Sequence, residues 1–348
     1  MIKSLKLKNF RNFETKDFIF DEEKNFIIGD NGVGKTNILE SICLIYQKNL
    51  INKDISNLVN KNENYAFIEI ENDNQKFSIS YDKNTNTKNL LINGKKTTKK
   101  KFEEMLEKII IFKPMDMNMM YLSPSYRRDF IDDILSNSFP SYERINKNYK
   151  NIIRNRNKLL KSIKDGKATK NDIKFWDGEL IKNACLIYEY RNKLNNFFID
   201  NINIIKELLT LKNDSIIYKY VTKVDLNSIE LSISNYLTKN IDRDIIIGNT
   251  HIGPHIDDFE IQIDSFPLVN YASRGETKSV IIGLKILESR FIEKHTNKKT
   301  IFIIDDLFSE IDKNHEILLL NEIKDKQTFI TSISSQNDHR FGDNIINL

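Results

Sequence analysis

Cysteine is almost absent from this 348-residue chain: Cys43 and Cys185 stand far apart, each inside an apolar, helix-like stretch. That scarcity excludes a disulfide framework or a cysteine-based zinc ribbon, and both residues read as packing groups. No apolar run approaches the roughly 18–20 residues that a membrane span needs, so no integral membrane segment is expected. The opening stretch MIKSLKLKNFRNF lacks the apolar core and small-residue cleavage site of an export signal, and a cytoplasmic address is expected. Charge of one sign is not in excess either. The 53 Lys+Arg against 49 Asp+Glu leave +4, too little by itself to announce a nucleic-acid partner. Histidine is sparse and scattered, so His255 and the Asp257-Asp258 pair read as hydrogen-bonding groups and no zinc is assigned. Glycine is also scarce, which makes a cluster of it informative.

Such a cluster occurs in GDNGVGKT, residues 29 to 36. The spacing of Gly29, Asp30, Asn31, Gly32, Val33, Gly34, Lys35 and Thr36 is G-x-x-x-x-G-K-T, in which glycines let backbone N–H groups curl around phosphates. Lys35 is expected to reach the β/γ-phosphates of ATP and Thr36 to ligate Mg²⁺. The β-rich run NFIIG precedes the loop, and Ile38, Leu39, Ile42, Cys43 and Ile45 follow it at helical spacing, predicting a helix from Lys35 to about Tyr46. A P-loop also needs a carboxylate on a neighbouring strand. TIFIIDD supplies one: four apolar residues run into Asp305, the expected metal-side group, and Asp306, placed to polarise an attacking water. Further on, YASRGETKSVIIGLKILESRF predicts a helix that Ser273 and Gly275 could cap, its N-terminus aimed at an anion.

Short β-rich runs dominate residues 1–113, with Asn93-Gly94 as a hairpin turn signal. Long helical patterns follow, and β/α alternation resumes after Ile245. The expected division is an N-terminal ATPase lobe over 1–124, an inserted, mainly helical domain over 125–240, and a C-terminal lobe over 241–348.

Taken together, NFRNF, the P-loop, the Ser273 turn, the IIDD strand and the SEID turn resemble the ABC-type ATPase heads of the SMC group, and among them the RecF family of bacterial DNA repair proteins. FKPMDMNMMYLSPSYRRDFID and GPHIDDFEIQID strengthen the likeness, which spans nearly the whole chain. The resemblance implies an α/β fold, an ABC-type P-loop head carrying an inserted antiparallel helical domain. It implies an ATP-dependent homodimer in which Ser273 and Gly275 of one copy complete the ATP site of the other. It further implies that Arg11 lies near the nucleotide and Asp312 at the dimer seam. Partners implied are DNA at gaps between duplex and single strand, and RecR and RecO in loading RecA, with roles in recombinational repair, replication restart and SOS induction. A weak, DNA-stimulated ATPase would act as the switch. The sequence departs from the family pattern at Arg274, Glu276 and Ile256.

DNA binding requires clustered base without acid. Residues 83–101 meet that test, with Lys95, Lys96, Lys99, Lys100 and Lys101 at their end; a lysine-rich hairpin edge that deters strand pairing is the other reading. A second basic run in the helical insert includes Arg154 and Arg156. No base-reading motif is present, so contact should be independent of sequence. The alternatives are an SMC-like structural head, against which the missing long coiled coil argues, and a transporter ATPase subunit, which would need a membrane partner.

Overall fold

A computed structural model describes residues 1–48, 50, 55–73, 75–209, 215–309, 311, 313–333 and 344–348. The chain folds as two compact units, residues 1–117 with 298–348 and residues 118–297. In chain order the first unit begins with β1 (Ile2–Phe10), β2 (Phe13–Ile19), β3 (Lys24–Ile28), α1 (Lys35–Ile45), β4 (Tyr65–Asn72), β5 (Lys76–Asp82), β6 (Thr87–Ile92), β7 (Lys95–Lys96), α2 (Lys99–Met105) and β8 (Lys108–Phe112). The second unit holds α3 (Pro124–Ser138), α4 (Pro140–Lys164), α5 (Lys174–Asp200), α6 (Asn203–Leu208), β9 (Ile216–Val221), α7 (Ile229–Ile247), β10 (Asp258–Ile263), β11 (Phe266–Pro267), α8 (Leu268–Tyr271) and α9 (Arg274–Thr296). The chain returns to the first unit with β12 (Thr300–Ile304), α10 (Lys313–Glu322), β13 (Thr328–Ser332) and β14 (Asn344–Asn347).

Two sheets build the first unit. One is antiparallel, in the order β2-β1-β4-β5-β6-β7, and the other parallel, in the order β14-β3-β13-β12-β8. Their sequences differ as their surroundings do. In β4, Ala66, Ile68 and Ile70 are buried and alternate with more accessible residues, the pattern of a sheet with one wet face. All of β12 is buried, as expected of a parallel strand covered on both sides. Helix α1 touches β4 and β5 of the first sheet and β13 of the second, and Ile38, Leu39, Ile42 and Cys43 are buried in one cluster with Leu5, Phe77 and Ile303. A buried Ile42→Ala change there should cost about 2–5 kcal/mol. Between β6 and β7, Asn93 and Gly94 both take positive φ (51° and 76°), as a two-residue hairpin turn requires.

Helices α4 and α5 pack together in the second unit, and α7 packs on both. The sequence placed the insert at 125–240, whereas the second compact unit runs over 118–297. The difference has a physical origin: β10 pairs with β9 in the antiparallel order β11-β10-β9, and α9 packs on α3, α5 and α6. Among the described residues, no helix is long and apolar enough to cross a membrane.

Candidate functional site

The P-loop leaves the C-terminal end of β3 and enters α1. Gly34 is the residue before the helix, with φ of 117°, where any side chain would be strained. A Cβ there would also lie 2.7 Å from Asn12 Nδ2 and 2.9 Å from Phe13 Cζ, so glycine is required by space as well as by conformation. Lys35 is 9% exposed, and its Nζ donates to the carbonyls of Gly29 (2.6 Å) and Asp30 (2.8 Å).

Strand order explains how the acids reach this loop. In the parallel sheet β13 lies between β3 and β12, so the tips of β3 and β12 open onto the same end, the place where α/β sheets take ligands. Asp305 follows Ile304 directly. Its Oδ1 accepts from Thr36 Oγ1 at 3.0 Å and from Thr331 Oγ1 of β13 at 2.9 Å. Burial pushes the Asp305 carboxyl up from its ordinary range, against the two threonine hydrogen bonds that lower it. Thr331 Oγ1 also accepts the Asp306 N–H at 2.9 Å. Asp306 takes φ of 47°, a left-handed conformation uncommon for a residue other than glycine and one found at functional turns. Thr36 Oγ1 and the Asp305 carboxylate, oxygen donors already within 3.0 Å of each other, fit a hard cation such as Mg²⁺.

Sequence reasoning missed Thr331, Asn12 and Glu40. Asn12 Nδ2 donates to Val33 O at 2.8 Å, and Asn12 Oδ1 accepts from Asn37 Nδ2 at 2.8 Å. Arg11, expected beside the nucleotide, donates through Nε and Nη2 to both Glu40 carboxylate oxygens at 2.8 Å and through Nη1 to Asn57 O at 2.9 Å. Its neighbour Asn12 hydrogen-bonds the loop at Val33 O.

Other expected site residues belong to the second unit or fall outside the described residues. Ser273 and Gly275 belong to the second unit, at the start of α9. Ser273 Oγ accepts from Glu276 N at 3.2 Å and Glu276 Oε2 accepts from Ser273 N at 2.7 Å, a capping box. Glu276 thus has a local role in the helix start. Ser309 ends a short 3₁₀ turn, and Asp312 lies outside the described residues.

The basic candidates divide. Lys95, Lys96 and Lys101 are exposed. Lys99 and Lys100 pair along α2 with Glu103 (3.5 Å) and Glu104 (3.9 Å), acids that lie just past the lysine-rich stretch. Arg154 is exposed and bonds Asn151. Arg156 is a correction: it is 0% exposed, with Nε on Asp177 (2.7 Å) and Nη1 on Asp244 (2.9 Å) and Thr250 (2.8 Å), so its charge does not meet phosphate. His255 bonds Tyr149 Oη through Nδ1 (2.8 Å) and Thr250 O through Nε2 (3.1 Å). Asp258 takes a two-pronged contact from Arg127 at 2.7 and 2.8 Å, and Asp257 accepts from Tyr220 Oη at 2.7 Å.

Residues 1–347 match the family model described as RecF/RecN/SMC N terminal domain. The chain is 34% identical over 344 residues to the DNA replication and repair protein RecF of Thermoanaerobacter sp. (strain X514), covering 95% of this chain and 93% of that protein. Its fold is similar to a solved structure of the recombination mediator protein RecF-ATPrS in the RecFOR pathway, with 27% identity, a TM-score of 0.87 and coverage of 100% of this chain and 96% of that one. A structure of RecF-ATP in the same pathway matches at 27% identity and a TM-score of 0.83, over 97% of this chain and 93% of that one. The P-loop between β3 and α1, the acid pair beyond β12 and these likenesses lead to one conclusion: the chain belongs to the RecF family, within the RecF/RecN/SMC N terminal domain group.

Proposed function

We propose that the chain is an ATP-gated DNA clamp, a homodimer that closes on DNA when ATP is bound and opens on hydrolysis. The observation that carries this reading is the 3.0 Å contact between Thr36 of the P-loop and Asp305 beyond β12, which brings together the loop and the strand that a P-loop ATPase needs. The RecF-ATP neighbour supports ATP as the nucleotide. Backbone N–H groups of residues 29–36 cradle the phosphates, and Lys35 exchanges its two carbonyl partners for phosphate oxygens. Thr36 and Asp305 would hold Mg²⁺, which when bound neutralises charge across the β- and γ-phosphates. Asp306, turned by its positive φ, orients and deprotonates the attacking water. The shorter reach of aspartate suits a slow timing switch.

Ser273 and Gly275 at the start of α9 complete the site on a second copy, where the helix N-terminus favours the γ-phosphate charge. Lys95, Lys96, Lys99, Lys100, Lys101 and Arg154 supply phosphate contacts to DNA without regard to sequence. Likeness to RecF structures of the RecFOR pathway supports work beside RecR and RecO, in the cytoplasm, in loading RecA at gapped DNA. The test is dimerisation and gapped-DNA binding with and without ATP, for the native chain, Lys35→Met and Ser273→Arg. ATP should drive both in the native chain and in neither variant. ATP-independent monomers without DNA affinity would sink the clamp, and intact dimerisation of Ser273→Arg would remove the shared site.

A further inference from the structure

We infer that Asn12, in the turn between β1 and β2, is a positioning residue that sets the phosphate-binding conformation of the P-loop. The inference rests on the nucleotide reading above.

The geometry starts with one peptide plane. Val33 O and the Gly34 N–H belong to the same trans peptide, since the described chain has no cis bonds, and in a planar trans peptide the carbonyl and the N–H point in opposite directions. Asn12 Nδ2 holds Val33 O at 2.8 Å. The Gly34 N–H is therefore directed away from Asn12. Gly34 immediately precedes Lys35, and backbone N–H groups of this loop are the ones that cradle the α/β-phosphates. Without the Asn12 bond the peptide could rotate, because glycine at φ of 117° adopts several conformations at little cost.

The Asn12 amide is itself oriented. Its Oδ1 accepts from Asn37 Nδ2 at 2.8 Å, so one face of the amide is bonded to the first turn of α1 while the other holds the loop. The turn that carries it is tied down as well. Arg11 has φ of 53°, its N–H donates to Leu58 O at 2.8 Å, and its guanidinium grips both oxygens of Glu40, which is 3% exposed. Asn12 is exposed, so its value to the core is small and its bonds serve the loop.

The experiment measures dissociation constants of MgATP and MgADP by titration calorimetry on the full chain, for the native protein, Asn12→Ala, Asn37→Ala and Lys35→Met, with thermal melts of each without nucleotide. Because the N–H concerned serves phosphates common to both nucleotides, Asn12→Ala should weaken MgATP and MgADP in parallel by about fivefold, the worth of one hydrogen bond. Asn37→Ala, which frees the amide to turn, should weaken both by a smaller factor. A loss under about twofold in Asn12→Ala, or a loss confined to MgATP, overturns the inference, as does a lowered melting temperature with unchanged affinity. Should Asn12→Ala fail to fold, unchanged affinity in Asn37→Ala overturns it and a parallel loss sustains it. The two levels separate through Lys35→Met: if that variant binds nucleotide as the native chain does, the nucleotide reading fails, whereas an effect of Lys35→Met alone sinks only the role of Asn12.

Discussion

Lys35 and Arg156 are both cations removed from water, at 9% and 0% exposure, and they are held in opposite ways. Arg156 is answered by two carboxylates and a hydroxyl, Asp177, Asp244 and Thr250. Lys35 donates to the neutral carbonyls of Gly29 and Asp30. A cation matched by formal charge inside a helical unit fixes which helices meet; α4, α5 and α7 are joined through that one guanidinium. A cation resting on carbonyls can exchange them for a ligand's oxygens at small cost. The same contrast separates the acids. Asp258 is locked by the fork of Arg127, while Asp305 is bonded by the hydroxyls of Thr36 and Thr331, and burial pushes its carboxyl up from the ordinary range. Charge in the second unit specifies structure; on the proposed nucleotide reading, charge at the P-loop is held for use.

Removing Arg156 should give the largest effect. Arg156→Met leaves Asp244, itself 0% exposed, without its guanidinium, and breaking a buried pair from one side costs about 3–5 kcal/mol. Urea denaturation followed by circular dichroism measures it. A loss below about 1 kcal/mol would place Arg156 among ordinary surface cations and erase the contrast.

Acid should strain the second unit next. Burial pushes the His255 imidazole down from 6.5 to about 4. The unfolded chain therefore binds more protons between those values, so this stabilisation is complete above about pH 6.5 and is lost as pH falls towards about 4. The whole window corresponds to about 3 kcal/mol. His255→Gln should flatten the stability profile over that range, whatever it does to stability at neutral pH; an unchanged slope would show that His255 titrates normally.

Lys35→Met sharpens the comparison from the other side. Loss of a hydrogen bond to a charged phosphate costs about 1.5–3 kcal/mol, so MgATP affinity should fall about 10- to 100-fold. Its unfolding free energy should stay within about 1 kcal/mol of native, since the hydrogen bonds lost are to the neutral carbonyls of Gly29 and Asp30 and not to a buried carboxylate. Titration calorimetry and urea melts on one preparation decide it. A destabilisation like that of Arg156→Met would make Lys35 a structural cation.

What could be read beforehand follows the range of the interactions. The P-loop, its flanking strand and helix, and the acids after β12 are local patterns, and the sequence carries them in full. Asn12 and Thr331 act across 21 and 26 residues on Val33 and Asp305, and no spacing rule links them. The burial of Arg156 does have a local signal: it stands four residues from both Ile152 and Leu160, on the stripe of α4 that also buries Tyr149. What the sequence could not supply was Asp244, 88 residues away, which makes burial of that charge tolerable.

The smallest expected effect concerns the lysines, which are neither buried nor tightly paired. Lys100 pairs loosely with Glu104 at 3.9 Å, with the lysine side chain 82% exposed, so the pair is worth little and leaves the charge open to phosphate. Lys101 is also exposed and follows it on α2. If this hairpin and helix touch DNA, each neutralised lysine removes about one unit from the slope of log affinity against log salt, and Lys100→Gln with Lys101→Gln should flatten it by about two. The fold should be indifferent, because neither side chain is buried. An unchanged slope with ATP-driven DNA binding intact would return these lysines to their other reading, the charged edge of a sheet that resists pairing with a stray strand. In that case the charges of the first unit that are held for use would be confined to the P-loop and the acids beside it.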